Sequence, residues 1–438
     1  MNVREIALSL LCEYESSGKY VNLSLSSHKA DALGKEDRRL LTALLYTAVE
    51  RKITYDYYTS AISSRSLDKI DQTTLNILRL GMCQIADMDS IPNHAAVNET
   101  VKLARNPGER SFVNGVLRRA ASLKEADELP LPKREKNPAR YLSVKYSFPL
   151  WMAKHFVSLV GEEGAEKLFN HYNTVRYTDL TVNLSKVTVD DYLELLSKNG
   201  FCAERGRSRL TVRLNESVNP RLLPGFEDGL FFVQDSASAI SAEALGTLEN
   251  DRVIDVCACP GGKSFAAAML ATNSGSVTSF DIHDSKLSLI VDGASRLGLS
   301  NVTTDVCDAT APREDLFGTF DRVICDVPCS GLGVLAKKPD IRHKDNENLH
   351  NLPELQLDML KKSSGYLKDG GYMVYSTCTL NPEENERVVS KFLEDDPRFS
   401  LCDFTVGDLA SEGGMLTLWP HIHGTDGFFI AKLKKEKK

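Results

Sequence analysis

The sequence predicts a multidomain chain with an all-α N-terminal domain, a small α+β middle module and a C-terminal α/β domain built on a doubly wound, Rossmann-like sheet. Three observations carry this reading. Apolar residues in the first 125 or so positions recur at helical spacing, without the alternation of strands. A stretch rich in charge and proline, at 125–138 with Pro130, Pro132 and Pro138, then interrupts the pattern as a linker. From about residue 236, short apolar runs alternate with amphipathic segments, as strands joined by crossover helices do. The 438 residues exceed one ordinary domain. The domains are placed at 1–130, 140–235 and 236–438.

In the first domain, Val3, Ile6, Ala7, Leu10 and Leu11 mark one helix. Leu40, Leu41, Leu44, Leu45, Ala48 and Val49 mark another. Further helices are expected around 75–85, 95–104 and 112–121, punctuated by Gly34, Pro92, Pro107 and Gly108. Together they read as a helical bundle. In the middle module, helices are expected at 151–160, 166–171 and 189–198, and strands at 180–184 and 210–214. In the last domain, strands are expected at 252–257, 276–281, 302–306, 320–327, 372–375 and 427–433. Helices fall between or after them at 264–271, 285–297, 353–366 and 383–393.

Composition narrows the class. A hydrophobic content of 42% is ordinary for a soluble globular protein. A core of this size needs no disulfides, and the ten cysteines form no regular framework. There is no signal-peptide pattern and no apolar run long enough to span a bilayer. A reducing, cytoplasmic location is expected. The net charge of −7 does not advertise nucleic-acid binding, but binding depends on local patches. Basic clusters occur at Lys102, Arg105, Arg110, Arg118 and Arg119; at Lys133, Arg134, Lys136 and Arg140; and at Lys337, Lys338, Arg342, His343 and Lys344. Each alone reads as a solvated face.

Two cysteines stand in similar settings. Cys329 lies in Asp326-Val327-Pro328-Cys329-Ser330-Gly331 and Cys378 in Tyr375-Ser376-Thr377-Cys378-Thr379. Each follows an apolar run that reads as a strand. The carboxyl ends of strands line the ligand crevice of an open α/β sheet, so two thiols can meet there. For a single cysteine the plain reading is a small buried hydrophobe, and Cys12, Cys83 and Cys202 are read that way. Cys257-x-Cys259 and Cys325-x-x-x-Cys329 lack the spacing of a structural zinc site, and no metal is expected.

Asp255-Val256-Cys257-Ala258-Cys259-Pro260-Gly261-Gly262-Lys263-Ser264 joins the first strand of the sheet to its first helix. Glycines there let backbone approach a ligand, but the spacing fits neither the dinucleotide fingerprint nor the P-loop. The plain alternative is a tight strand-to-helix turn. Asp281 ends the second strand, where a carboxylate suits paired ribose hydroxyls. Asp308 follows the third strand and is placed to meet an adenine amino group. Either alone is more often a strand-end turn residue than a ligand contact; together they point to an adenosine site.

These motifs, with Asn381-Pro382-Glu383-Glu384-Asn385 after the second cysteine, resemble the RNA cytosine-C5 methyltransferases of the Nol1/Nop2/Sun family. Phe232-Val233-Gln234-Asp235-Ser236-Ala237-Ser238 and Asp426-Gly427-Phe428-Phe429-Ile430-Ala431 look like that family's opening and closing segments. At the front, Ala95-Ala96-Val97-Asn98-Glu99-Thr100-Val101 and Phe112-Val113-Asn114-Gly115-Val116-Leu117-Arg118-Arg119 resemble the NusB-like helical RNA-binding fold. That fold joined to this catalytic domain is similar to the family's bacterial small-subunit rRNA enzymes. Cys259 departs from the family's usual Ala, and Thr181 from the Arg many members carry before Val-Asn.

The resemblance implies a class I methyltransferase fold, S-adenosyl-L-methionine as cofactor and 16S rRNA as partner, with cytosine 967 modified at C5. It implies no DNA and no membrane partner, and a monomer. It makes Cys378 the nucleophile and gives product release to Cys329. Asp326 would hydrogen-bond the cytosine; Lys263 would orient the base or lower a thiol pKa. The cofactor would lie over Cys257, Ala258, Cys259, Pro260, Gly261, Gly262 and Lys263, near Asp281, Asp308 and Asp326. Rival readings are weaker. A DNA cytosine-C5 enzyme would use Cys329 to attack and leave the second motif idle. A non-catalytic antitermination factor leaves both cysteines unexplained. A Rossmann oxidoreductase needs the dinucleotide glycine spacing.

Overall fold

The computed structural model describes residues 2–17, 33–174, 177–216, 218–272, 274–343 and 350–437. The chain folds into two compact units, Met1–Asn173 with Lys337–Lys344, and Thr174–Ala336 with Asp345–Lys438. No helix among the described residues is long and apolar enough to cross a membrane.

The first unit is helical: α1 (Val3–Ser17), α2 (Lys35–Glu50), α3 (Lys52–Ile62), α4 (Gln72–Asp87), α5 (Asn93–Val101), α6 (Pro107–Glu125), α7 (Pro138–Tyr146) and α8 (Leu150–Thr174). Helix α4 is buried from Thr74 through Ile85 and forms the centre of the bundle. Asp71 caps α4 through the Thr74 N–H, and Asn106 caps α6 ahead of Pro107. Gly161 (φ 73°, ψ 173°) breaks α8 between the two expected segments. Arg79, deep in α4, is balanced by Asp56 at 2.7 Å and Glu15 at 3.1 Å.

The first two basic clusters are solvated faces: Lys102, Arg105, Arg110, Arg118, Arg119, Lys133, Lys136 and Arg140 are exposed, and their ion pairs lie at the surface. Lys102 pairs with Glu99 at 2.5 Å, and Arg105 with Asp71 and Glu109 at 2.8 and 2.9 Å. Arg134 pairs with Glu166 at 2.9 Å. Arg342 overturns the solvated reading outright. It is fully buried, donates to Glu50 at 3.1 Å and lies 4.1 Å from the Phe148 ring centroid. His343 Nε2 sits 2.8 Å from the Val49 carbonyl. Burial pushes the His343 pKa down to about 4, so the ring is neutral at pH 7. Lys344 lies outside the described residues.

The second unit opens with a four-stranded antiparallel sheet of β1 (Thr178–Val182), β2 (Ala203–Arg205), β3 (Thr211–Leu214) and β4 (Phe231–Val233), in the order β2-β3-β1-β4, with α9 (Val189–Lys198) packed on it. The first strand ends earlier than expected because Asn183 leaves the ladder. Its buried amide donates to the Gly229 and Leu297 carbonyls at 2.9 and 2.8 Å. Cys202, expected to be buried, is exposed in the turn before the edge strand β2. Cys12 is half-buried and Cys83 buried.

Helix α10 (Ser236–Ala244), capped by Asp235, leads into the large sheet. Its elements are β5 (Arg252–Asp255), α11 (Gly262–Ala271), β6 (Ser276–Asp281), α12 (Asp284–Leu297), β7 (Val302–Val306), β8 (Phe320–Asp326), α13 (Leu352–Ser363), β9 (Leu367–Thr377), α14 (Glu386–Asp395) and β10 (Phe399–Leu401). A small ribbon of β11 (Thr405–Val406) and β12 (Leu409–Ala410) follows, then β13 (Met415–Leu418), α15 (Pro420–His423) and β14 (Phe428–Lys435). The strand order is β10-β14-β9-β8-β5-β6-β7, with β13 paired to β14. Strands β5 to β9 are parallel, and β14 runs antiparallel to β9. The order reverses at β5, with β6 and β7 on one side and β8 and β9 on the other. That is where a doubly wound sheet opens a crevice at its carboxyl edge.

Candidate active site

A cleft of about 690 Å³ opens at the carboxyl ends of β5 to β8. Cys257 and Cys259 line it after β5, Asp281 at the end of β6, Asp308 after β7 and Asp326 at the end of β8. Pro260 also lines it. The volume lies in the range of small-molecule sites. Asp281 is held in place by backbone: its Oδ2 accepts from the Cys259 N–H at 3.2 Å and its Oδ1 from the His283 N–H at 3.0 Å. Asp308 accepts the Thr310 N–H and hydroxyl at 2.8 and 2.7 Å, which hold its carboxyl below the usual range. The turn-residue and cleft-residue readings of Asp308 therefore both describe it. Burial and the neighbouring Asp281 push the Cys259 thiol up to about 12.

Ala258, Gly261, Gly262 and Lys263 are not among the residues that line the cleft. Ala258 packs into the core, with its N–H given to the Phe280 carbonyl at 2.8 Å. Gly261 makes the turn into α11 at φ 113°, where a Cβ would lie 2.5 Å from the Phe265 ring. The Lys263 side chain reaches the cleft only through Asp326. Its ammonium donates to Asp326 Oδ2 at 2.7 Å and Ser238 Oγ at 2.9 Å, and lies 4.9 Å from the Phe428 ring centroid. Asp326 Oδ1 accepts from Ser376 Oγ at 2.7 Å. A chain of bonds leads back into the middle sheet: Gln234 donates to Ser238 at 3.1 Å, and Thr181 to Gln234 at 2.9 Å. Thr181 thus serves as a buried donor. Behind the cleft, burial pushes the carboxyl of Asp255 up to about 7 despite a 2.7 Å bond from Ser264.

The two thiols meet. Cys329 Sγ lies 3.3 Å from Cys378 Sγ, each on the loop following one of the adjacent strands β8 and β9. The hydrogen bond to Cys378, burial and the nearby Glu384 raise the Cys329 thiol well above its ordinary range. Three segments cross here through backbone. The Gly333 N–H donates to the Cys378 carbonyl at 3.0 Å, and the Gly427 N–H to the Gly333 carbonyl at 2.8 Å. A Cβ on Gly333 would lie 1.9 Å from the Gly427 oxygen. Gly333→Ala is therefore expected to displace the Cys378 loop and cut turnover by at least about 10²-fold, the cost of a misplacement near 1 Å. Wild-type turnover in a rate assay of that variant would contradict the packing described. Among the described residues, no group of three His, Cys, Asp or Glu side chains is arranged to hold a metal ion.

Residues 242–434 match the family described as 16S rRNA methyltransferase RsmB/F, and residues 1–122 match the NusB family. The chain is 34% identical to the probable ribosomal RNA small subunit methyltransferase B of Bacillus subtilis, over 99% of each chain. It is 33% identical to the protein of the same description from Synechocystis, over 99% of this chain and all of that one. The crystal structure of a methyltransferase homolog protein from Pyrococcus horikoshii superimposes with a TM-score of 0.59 at 30% identity, covering 67% of this chain and 97% of that one.

Proposed function

This chain belongs to the RsmB/F family of 16S rRNA methyltransferases, and on that premise we propose that it methylates C5 of one cytosine in 16S rRNA, cytosine 967, through a covalent bond between Cys378 and the base. It is an S-adenosylmethionine-dependent rRNA methyltransferase. The observation that carries the mechanism is the 3.3 Å approach of two thiols beside a cleft at the sheet's switch point.

The cleft fits the cofactor in size and in the acids at its rim. Asp281 and Asp308 would hold the adenosine, with Cys257, Cys259 and Pro260 along the wall. Bound there, S-adenosylmethionine supplies an electrophilic methyl group. The Cys378 thiolate adds to C6 of the cytosine, which makes C5 nucleophilic enough to take that methyl. With Cys378 as the nucleophile, the Cys329 S–H is the donor across the 3.3 Å contact and favours the Cys378 thiolate. Asp326, braced by Lys263 and Ser376, accepts a hydrogen bond from the cytosine amino group and so orients the ring for attack. A base then takes the C5 proton, the C5–H electron pair restores the C5–C6 double bond, and the Cys378 thiolate leaves, with Cys329 assisting release. The target base must leave its stack to enter the site. The NusB-like domain, placed at 1–130, and the middle module, at 140–235, grip the RNA; backbone contacts position it while the pocket reads the base. The protein acts in the cytoplasm as a monomer, with no DNA or membrane partner.

Bisulfite mapping tests the assignment. It converts cytosine to uracil and spares the 5-methyl base. In rRNA from a strain lacking this gene, cytosine 967 is expected to convert, and the restored gene to protect it. Protection that persists without the gene rules the assignment out.

Calorimetry tests the cofactor site. Asp281→Ala is expected to weaken S-adenosylmethionine by about 1.5–3 kcal/mol, the scale of a hydrogen bond to a charged group. Unchanged affinity would remove Asp281 from the site.

A further inference from the structure

We propose that Glu384 is a positioning residue whose carboxylate clamps the Cys329 loop to the Cys378 loop and so sets the distance between the two thiols. It is fully buried. Its two oxygens receive four donors. Oε2 accepts the Ser330 N–H at 2.8 Å and the Gln356 amide at 3.0 Å. Oε1 accepts the Ser330 hydroxyl at 2.5 Å and the Asn381 amide at 3.0 Å.

These donors flank the thiols. Ser330 follows Cys329 in the chain. The same Gln356 nitrogen also donates to the carbonyl of Pro328, which precedes Cys329, at 2.9 Å. On the other loop, Thr379 follows Cys378, and its hydroxyl meets that of Ser330 at 2.6 Å. Asn381 belongs to that loop as well. The Glu384 backbone is anchored to β9, since the Tyr375 hydroxyl donates to its carbonyl at 2.6 Å. Glu384 thus ties Ser330 directly, and Pro328 through Gln356, to the loop that carries Cys378.

A carboxylate has about four acceptor sites, and here all are taken. Glu384 therefore has no capacity left to act as a base and works through the loops it holds. An ion buried away from a cationic partner is costly, and only its charge-assisted hydrogen bonds offset that cost. An apolar residue of the same volume would serve a core at least as well. What the carboxylate adds is fixed geometry between two segments that the chain must bring together from 49 residues apart. Thiol chemistry on one base needs such fixing, because a displacement near 1 Å costs about 10²-fold in rate.

The catalytic consequence rests on the roles given to the two thiols above; the clamp itself is tested without them. In the full-length protein, diamide joins two neighbouring thiols as a disulfide, and peptide mass spectrometry measures how fast Cys329 is linked to Cys378. Glu384→Ala removes all four contacts. Glu384→Gln keeps the volume and one full acceptor, so it serves if the alanine variant does not fold. Linkage is expected to slow by about tenfold in Glu384→Gln and further in Glu384→Ala, with kcat falling by about 10²-fold in Glu384→Ala. The KM for S-adenosylmethionine should stay within about threefold in both, since Glu384 does not line the cleft. Linkage at the wild-type rate in folded Glu384→Gln overturns the proposal, and if methylation is lost alongside, the thiol chemistry still stands. Slowed linkage with unchanged methylation upholds the clamp and removes the thiol pair from the mechanism.

Discussion

Cys378→Ser is expected to abolish methyl transfer and to form no covalent adduct with RNA, whereas Cys329→Ser should attack the base, methylate it and then stall. The reason is acid–base chemistry. A serine alkoxide is far harder to generate near neutral pH than a cysteine thiolate. Cys378 is assigned the thiolate because the family resemblance places the nucleophile on its Thr-Cys loop, and Cys329 lies 3.3 Å from it, within reach to donate to that sulfur. Serine at 378 offers no such anion, so the first step fails and nothing is trapped. Serine at 329 still offers a hydroxyl donor to Cys378, so attack and methylation proceed. Product release then slows, and the stalled species is a protein–RNA adduct that survives denaturing electrophoresis. The reverse pattern, with adduct in Cys378→Ser alone, would assign the nucleophile to the Pro-Cys loop.

Asp326→Asn is expected to lower the single-turnover rate of methylation by about 10²-fold, the cost of losing the group that orients the base. Asp326 is oriented from both sides, by Lys263 at 2.7 Å and Ser376 at 2.7 Å. Asparagine keeps the shape and one acceptor but replaces the other carboxylate oxygen with an amide donor, so the contacts to Lys263, Ser376 and the ring cannot all be kept. Lys263→Met should move the rate in the same direction. It leaves Asp326, only partly exposed, without its ammonium partner and free to turn. A rate within about threefold of wild type in both variants would mean that the pair is structural.

What was legible in the sequence was local. The Cys329 and Cys378 motifs, the strand-end acids Asp281 and Asp308, and the alternation of the large sheet all lie within short windows. What was not legible depends on partners far apart in the chain. Lys263 and Asp326 are 63 residues apart, Ser376 and Asp326 are 50 apart, and Ser330 and Glu384 are 54 apart. No periodicity reports such pairs. Ser238, Ser376 and Glu384 stood in quoted motifs without a role, because a serine or a second acid in a loop carries no signal of its partner. The helix α3 went unrecognised because its inward face is Thr54, Tyr55, Tyr58 and Thr59, residue types that weigh toward strands. Arg342 read as one basic residue among several, and only the fold brings Glu50 and Phe148 to it. The short strand β4 was hidden in a segment read for its motif, where Phe231 to Val233 pair with β1.

The central claim is that Cys378 becomes bonded to the target base. Full-length wild-type protein incubated with S-adenosylmethionine and rRNA carrying 5-fluorocytosine at the target tests it most directly. Fluorine at C5 cannot leave as a proton does, so the covalent intermediate persists. Digestion and mass spectrometry then locate the attached nucleotide. The account predicts it on the peptide containing Cys378. A nucleotide on the Cys329 peptide, or no attachment while unmodified rRNA is methylated normally, would contradict it.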